Sequence, residues 1–300
     1  MSTLLGDFKE NFILSRATSW HVGGPAQRYY KPAHLEDLAN YLQNYHDGSQ
    51  IIWLGLGSNV LIRDAGIQST VIHTLNRLNI LEWQADQVYV QAGVPCAKFA
   101  KWCMREGLAG AEFLAGIPGT MGGALRMNAG AYGGETWDLV TQVQLLDSNG
   151  QLIWLDAKDF KIGYRSVEGF GNCMFAGALF KLAKSDSEKI ATYTKNMLQK
   201  RNAAQPIGSF NCGSVFRNPE GDYAGRLVAA CGLKGYVIGD AQVSEKHANF
   251  IINRGQATAE NIEQLIEHIQ KIVADQTGIA LYRECHLLGD RLELKQGVKG

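Results

Sequence analysis

Two stretches of the chain hold residue types suited to chemistry. One is Gly213-Ser214-Val215-Phe216-Arg217-Asn218-Pro219, in which a serine hydroxyl follows a glycine. The other, about ninety residues upstream, is a glycine-rich tract, Gly116-Ile117-Pro118-Gly119-Thr120-Met121-Gly122-Gly123, running on to Asn128-Ala129-Gly130-Ala131-Tyr132-Gly133-Gly134. Backbone without side chains lets a large planar or phosphate-bearing ligand come close. The pair suggests a cofactor bed and a separate polar catalytic group.

Each candidate has a plainer reading beside it. Ser214 lacks the GxSxG elbow, and His247 follows at no fixed triad spacing, so taken alone this serine is structural. Arg165, in Gly163-Tyr164-Arg165-Ser166, reads by default as a surface cation. Glu284 is more pointed: Leu281–Gly289 reads as an apolar alternating strand, and a carboxylate inside it must be paired or functional. Gly55-Leu56-Gly57-Ser58-Asn59, after the apolar run Ile51–Leu54, resembles half a dinucleotide fingerprint, but Val60 stands where GxGxxG needs glycine. A Rossmann domain is therefore disfavoured. The loop is either a simple turn or a set of donors for a pyrophosphate, and the second glycine tract favours the latter. No GxxxxGK[ST] is present, which argues against a hydrolysed nucleotide.

Composition narrows the partners. Lys plus Arg (29) balance Asp plus Glu (29) in 300 residues, and no basic run would track nucleic acid, so a small-molecule partner is expected. The six cysteines form no CxxC pair and no zinc-ligand spacing; they read as buried thiols of a reducing compartment, with no metal site. Asp7, Lys9 and Glu10 fall where a secretory leader needs an apolar core, and Gly107–Leu125 is too rich in glycine for a membrane helix. A cytoplasmic protein, without membrane or nucleic-acid partners and monomeric, is expected.

Positioning these groups calls for alternating short strands and helices. The pattern predicts a helix over Leu35–Tyr45, a buried strand over Ile51–Leu54, a strand over Val88–Gln91 and a helix over Cys96–Glu106. A hairpin joins Val143–Asp147 to Leu152–Leu155 across Ser148-Asn149-Gly150, and a helix over Lys189–Arg201 is broken by Gln205-Pro206. A final helix starts at the N-cap candidate Thr258, with Ile262, Leu265, Ile266, Ile269 and Val273 on one face. The length favours two or three domains, with a boundary near Gln205.

Seven ordered motifs together resemble the UDP-N-acetylenolpyruvoylglucosamine reductase family, in its shorter second type, from Thr18 to Gly289. They are Trp20–Ala26, the Gly55–Asn59 loop, the tract from Gly116 to Glu135, Tyr164-Arg165-Ser166, Gly213–Pro219, Val243–Phe250 and Glu284. The resemblance implies an α+β chain. An FAD-binding fold of two subdomains (1–80 and 81–204), of the vanillyl-alcohol-oxidase/PCMH type, precedes a smaller α+β substrate-binding domain (205–300). It implies FAD as cofactor and NADPH as co-substrate in reducing UDP-N-acetylglucosamine enolpyruvate to UDP-N-acetylmuramate for peptidoglycan.

By the same resemblance the cofactor lies against Gly55, Gly57, Ser58, Asn59 and Val60, against Gly116, Ile117, Pro118, Gly119, Thr120, Gly122 and Gly123, and against Asn128, Ala129 and Gly130. Tyr132, Tyr164, Asn218, Arg226, His247 and Asn249 match the substrate side. Ser214 matches the proton donor to the α-carbon, Arg165 the cation facing the enolate or carboxylate, and Glu284 the carboxylate that hydrogen-bonds the developing enol. The chain departs from the family's Leu-Glu-Pro-Glu-Val-Arg at Leu281-Tyr282-Arg283-Glu284-Cys285-His286, and carries Arg217 where lysine is commoner. A sugar or aldonolactone oxidase of the same flavoprotein superfamily would use the glycine tract without needing Ser214 and Glu284. A non-catalytic nucleotide binder would have no reason to keep all three catalytic candidates.

Overall fold

The computed structural model describes residues 3–291. The chain divides into two compact units. The first holds the N-terminal segment up to Lys9, Tyr29–Leu56 and Thr70–Gln205; the second holds Glu10–Arg28, Gly57–Ser69 and the segment from Pro206 onward.

The first unit is built on a five-stranded antiparallel sheet in the order Leu152–Asp156, Val140–Leu146, Met174–Phe180, Gln87–Gln91, Leu81–Gln84. Its middle strand, MFAGALF, is buried at every position, as an apolar run without alternation must be when both faces are covered. Phe175, Ala178 and Phe180 join one core, and Met174 and Ala176 another. Phe175 and Ala178 are three residues apart and would face opposite sides of a regular strand. A register shift opposite Gln144–Leu145 adds one residue and turns them to the same side.

Helices α1 (Leu35–Asn44), α2 (Cys96–Arg105) and α3 (Met121–Met127) pack on this sheet, and α4 (Ser187–Ala204) packs on α2 and the helical turn Glu112–Gly116. Leu35, Leu38 and Leu42 make the inward stripe of α1, packing with Ile72 and Met174. Phe99 and Cys103 of α2 and Leu125 of α3 pack on Phe175 and Phe180. Each large apolar side chain so buried stabilises the unit by about 1.5–3 kcal/mol. Helix α4 starts two residues before its expected position because the Asp186 carboxylate accepts hydrogen bonds from the Glu188 and Lys189 amides, at 2.7 and 3.2 Å. Ile51–Leu54 forms the expected strand, paired in parallel with Thr70–His73, but only Leu54 is fully buried.

The second unit packs a three-stranded antiparallel sheet (Val237–Ile238, Ala241–Val243, Ile251–Asn253) with α5 (Ala224–Ala230) and α6 (Ala259–Thr277). The expected stripe of α6, from Ile262 to Val273, enters a core with Trp20, Val215, Phe216 and Leu227. Thr258 caps the helix through the Asn261 amide, and the Asp64 carboxylate takes the Ala259 and Glu260 amides, both at 3.0 Å. Val60–Ile62 pairs in parallel with His286–Leu288, which draws the segment after Gly57 into this unit.

Cys96, Cys103, Cys212 and Cys285 are buried as expected, whereas Cys173 and Cys231 are only half-buried. No helix among the described residues is long and apolar enough to cross a membrane.

Candidate active site

In the first unit the glycines divide by what makes them necessary. A Cβ on Gly55 would lie 2.4 Å from Thr120 Oγ1, so the turn after Ile51–Leu54 is seated directly on the N-cap residue of α3. One on Gly122 would meet the Ala92 Cβ at 2.8 Å, because the first turn of α3 is pulled onto Val94 and Ala92 by the Met121 and Gly122 amides, at 2.8 and 2.9 Å. Gly123 differs. It is exposed, and the nearest atom to an added Cβ is Thr120 Oγ1 at 3.8 Å. Gly116 is buried, and a Cβ there would make only ordinary contact with the Arg201 and Leu198 side chains, at 3.5 and 3.8 Å. The chain itself demands glycine at Gly55 and Gly122 but not at Gly116 and Gly123. Bare, exposed backbone at Gly123 fits the close approach of a cofactor.

Beyond α3 the chain makes two linked hairpin tips. Tyr132 and Gly133 both have positive φ between the paired residues Ala131 and Gly134, the geometry of a type I′ turn. Tyr164 and Arg165 form the tip between Gly163 and Ser166, with Arg165 at φ 53°. A left-handed non-glycine residue costs on the order of 1–3 kcal/mol and persists where its surroundings hold it. Here the Arg165 guanidinium donates to the Gly130 carbonyl at 2.8 Å and the Asn128 carbonyl at 3.4 Å, and lies over the Tyr164 ring. Asn128, fully buried at the C-cap of α3, donates from Nδ2 to Glu135 at 2.7 Å and to the Gly163 carbonyl at 3.3 Å, joining the two tips. Asn128 thus serves the hairpins. Arg165 is a braced cation against Tyr164, and Tyr164 and Tyr132, at the two tips, are both about half exposed.

Behind the Gly55 turn, sequence reasoning missed a buried pair. The Tyr29 hydroxyl meets His73 Nδ1 beneath the strand ends. Burial, with the nearby Lys31 charge, pushes the imidazole down to about 4, so it is neutral at physiological pH. Neither residue stands in a motif that would have marked it.

In the second unit the segment that follows Ser214 pairs with the segment that carries Glu284. Gly213, at φ 80°, turns the chain immediately before Ser214. Phe216 and Arg283 then form an antiparallel bridge, flanked by hydrogen bonds from the Glu284 amide to the Val215 carbonyl (2.8 Å) and from the Arg217 amide to the Tyr282 carbonyl (2.9 Å). Glu284 is therefore not inside a strand, as its alternating context suggested; the strand is the shorter His286–Leu288. The departure follows from pairing. Residues 282–284 pair with 215–217, and the strand beyond pairs with Val60–Ile62.

Asn59 joins these elements: its carbonyl accepts from the His286 amide at 3.0 Å and its Nδ2 donates to the Glu284 carbonyl at 3.3 Å. Gly57, at φ 72°, is required by the chain, since a Cβ would lie 2.1 Å from the Ala17 carbonyl oxygen.

The remaining candidates of this unit have local duties. Asn218 Oδ1 accepts from the Ala224 amide at 3.1 Å, where α5 begins. Arg226 is an exposed ion-pair partner of Asp222, with Nε to Oδ1 at 2.6 Å. His247 accepts from the Asn249 amide at 3.3 Å, and burial pushes its imidazole below the usual range. Asn249 is buried, and its side chain clips the backbone of Phe216. Arg165 belongs to the first unit, and Ser214 and Glu284 to the second.

Comparison with known proteins accounts for both units. The family profile described as UDP-N-acetylenolpyruvoylglucosamine reductase, C-terminal domain, matches residues 205–288, and an FAD binding domain profile matches 26–156. The chain is 49% identical to the UDP-N-acetylenolpyruvoylglucosamine reductase of Alkalilimnicola ehrlichii over 95% of its length and 96% of the relative's. It is 50% identical to that of Legionella pneumophila, covering 93% and 92%. The crystal structure of the Thermus caldophilus enzyme superposes with a TM-score of 0.82 at 29% identity, covering 96% of this chain and all of that one. The fold is thus α+β, an FAD-binding region followed by the family's C-terminal domain, and the chain belongs to the UDP-N-acetylenolpyruvoylglucosamine reductase family.

Proposed function

We propose that this chain reduces UDP-N-acetylglucosamine enolpyruvate to UDP-N-acetylmuramate, an FAD-dependent step of peptidoglycan precursor synthesis, with NADPH as the source of electrons. Family membership across nearly the whole chain supports the reaction. The open backbone at the exposed Gly123 supports FAD. Bound FAD would supply the hydride that the β-carbon of the enolpyruvyl group receives.

The residues of the chain handle the charge and the proton. Hydride on the β-carbon turns the methylene into a methyl group and leaves enolate charge on the α-carbon and carboxylate. Arg165, always cationic, suits that charge, and Glu284 suits a hydrogen bond to the enol. Ser214 gives its proton to the α-carbon, which completes the addition of two hydrogens across the double bond. A hydroxyl is a weak acid, but a carbanionic acceptor and fixed placement offset that weakness. The observation that supports this assignment is the antiparallel bridge between Phe216 and Arg283, which pairs the segment following Ser214 with the segment that carries Glu284.

Cofactor contacts fall to Gly55, Gly57, Ser58, Asn59 and Val60, to Gly116, Ile117, Pro118, Gly119, Thr120, Gly122 and Gly123, and to the backbone of Asn128, Ala129 and Gly130. The substrate side falls to Tyr132, Tyr164, Asn218, Arg226 and His247, with Asn249 acting through the backbone. In this division of roles, segments 1–80 and 81–204 chiefly serve the cofactor, 81–204 also lending Tyr132 and Tyr164 to the substrate side, and 205–300 serves the sugar nucleotide.

The test is NADPH consumption by the FAD-loaded protein. Oxidation that depends on UDP-N-acetylglucosamine enolpyruvate, with a product two hydrogens heavier, supports the assignment. Oxygen consumption with a free sugar, and no turnover of the enolpyruvyl substrate, would instead identify a sugar oxidase.

A further inference from the structure

Asn249 makes three hydrogen bonds to the two residues that follow Ser214. The Phe216 amide donates to Oδ1 at 3.0 Å, Nδ2 donates to the Phe216 carbonyl at 2.9 Å, and the Val215 amide donates to the Asn249 carbonyl at 2.9 Å. Asn249 is 3% exposed and Phe216 1%, so water does not compete for these groups. The clip is itself held. Ser244 Oγ accepts from the Lys246 and His247 amides, both at 3.2 Å, and the Ser244 amide donates to the Phe250 carbonyl at 2.8 Å, closing the loop that carries Asn249. On its other side the clipped segment holds Glu284, through the Val215 carbonyl.

We propose that Asn249 is a positioning residue for proton delivery: its amide fixes the Val215–Phe216 backbone, and thereby the placement of Ser214. The inference rests on the reading of Ser214 as proton donor. With both ends of the amide engaged by backbone, Asn249 acts on the substrate through Ser214. A purely structural clip exists in the same unit for comparison. Asn253 donates to the Trp20 carbonyl at 2.8 Å and accepts from the Gly255 and Ala257 amides at 2.8 and 3.0 Å, pinning a segment without reactive residues.

The decisive variant is Asn249→Asp in the FAD-loaded enzyme. An ionised Asp accepts from the Phe216 amide but cannot donate to the Phe216 carbonyl, and it sets a negative charge against that oxygen. A protonated Asp restores both bonds, and burial brings its protonation toward neutral pH. A displacement near 1 Å costs on the order of 100-fold in rate. At pH 8 oxidation of the pre-reduced enzyme by UDP-N-acetylglucosamine enolpyruvate should slow about 100-fold, while reduction by NADPH stays within about twofold. The loss, relative to wild type at each pH, should shrink as pH falls toward 6. Because Asn249 acts through Ser214, the double variant Ser214→Ala/Asn249→Asp should be no slower than Ser214→Ala alone. Asn253→Asp should lower thermal stability and leave both half-reactions intact.

A wild-type rate for Asn249→Asp, a multiplied loss in the double variant, or equal slowing by Asn253→Asp would overturn the proposal. So would failure of both Asn249→Asp and Asn249→Ser to fold with FAD, which would make the residue an element of stability alone. If Ser214→Ala is itself reoxidised at full rate, the proton-donor reading falls and this inference with it; slowing by Ser214→Ala without slowing by Asn249→Asp removes the inference alone.

Discussion

Gly122 and Gly123 are neighbours in the first turn of α3, yet methyl groups added to them should act in opposite directions. At Gly122 the new Cβ would sit 2.8 Å from the Ala92 Cβ and 3.2 Å from its carbonyl oxygen, and the hydrogen bond from the Gly122 amide to that carbonyl keeps the helix from moving away. Overpacking of this kind costs about 1–3 kcal/mol, offset by about 0.8–1 kcal/mol from alanine's better helix propensity. Gly122→Ala should therefore destabilise the cofactor-free protein by up to about 2 kcal/mol, or roughly 4–8 °C in Tm. At Gly123 the nearest atom is 3.8 Å away, so only the propensity gain of about 0.5–1 kcal/mol remains and the cofactor-free protein should unfold slightly later. The methyl would instead intrude on the cofactor. If it costs the same 1–3 kcal/mol there, FAD affinity should fall about 5- to 150-fold. Thermal unfolding of the cofactor-free variants, with FAD titration followed by flavin fluorescence, separates the two effects. Wild-type FAD affinity in a folded Gly123→Ala protein, or equal destabilisation by both substitutions, would remove Gly123 from the cofactor bed.

Two further outcomes concern stability and reactivity. Hydrogen bonds and charge from Arg63 and Arg291 hold the Glu263 carboxyl down to about 2, so its contribution to stability is complete above the unfolded carboxylate range near 4.3 and is lost as pH falls toward 2. Glu263→Gln should lower stability at pH 7 by about 1–3 kcal/mol and flatten the acid limb of the stability curve; an unchanged acid limb in denaturant titrations would exclude the ion pair as its source. Burial pushes the Cys96 and Cys103 thiols up to about 12, and Cys212 and Cys285 are also buried, so a thiol reagent should label the native protein at Cys173 and Cys231 and reach the other four only on unfolding. Rapid native labelling of Cys96 would contradict that packing.

Local pattern made part of this architecture legible. The α6 stripe, the Thr258 cap and the 147–151 turn depend on neighbours within a few residues, and the chain spells them out. The motifs around Ser214, Arg165 and Glu284 were visible for the same reason. What stayed hidden depends on long-range pairing. The parallel pairing of Val60–Ile62 with His286–Leu288 joins residues more than two hundred positions apart, and it sends Gly57 and Asn59 to the second unit, where their neighbours are Ala17 and Glu284. The extra residue in the Met174–Phe180 strand leaves no mark in a uniformly apolar run. Asn249 shows both sides: the motif containing it was visible, but only the fold shows that its amide is occupied by Phe216.

Proton delivery by Ser214 is the central step of the proposed reaction, and rapid mixing of the Ser214→Ala enzyme tests it directly. Flavin reduction by NADPH involves no hydroxyl and should keep its wild-type rate. Reoxidation by UDP-N-acetylglucosamine enolpyruvate should slow by at least roughly 100- to 1,000-fold, the about 2.7–4 kcal/mol that loss of one positioned donor costs. Ser214→Cys should recover part of that rate, since a thiol is the stronger acid. Reoxidation of Ser214→Ala at the wild-type rate would contradict the account, because the proton would then come from another group.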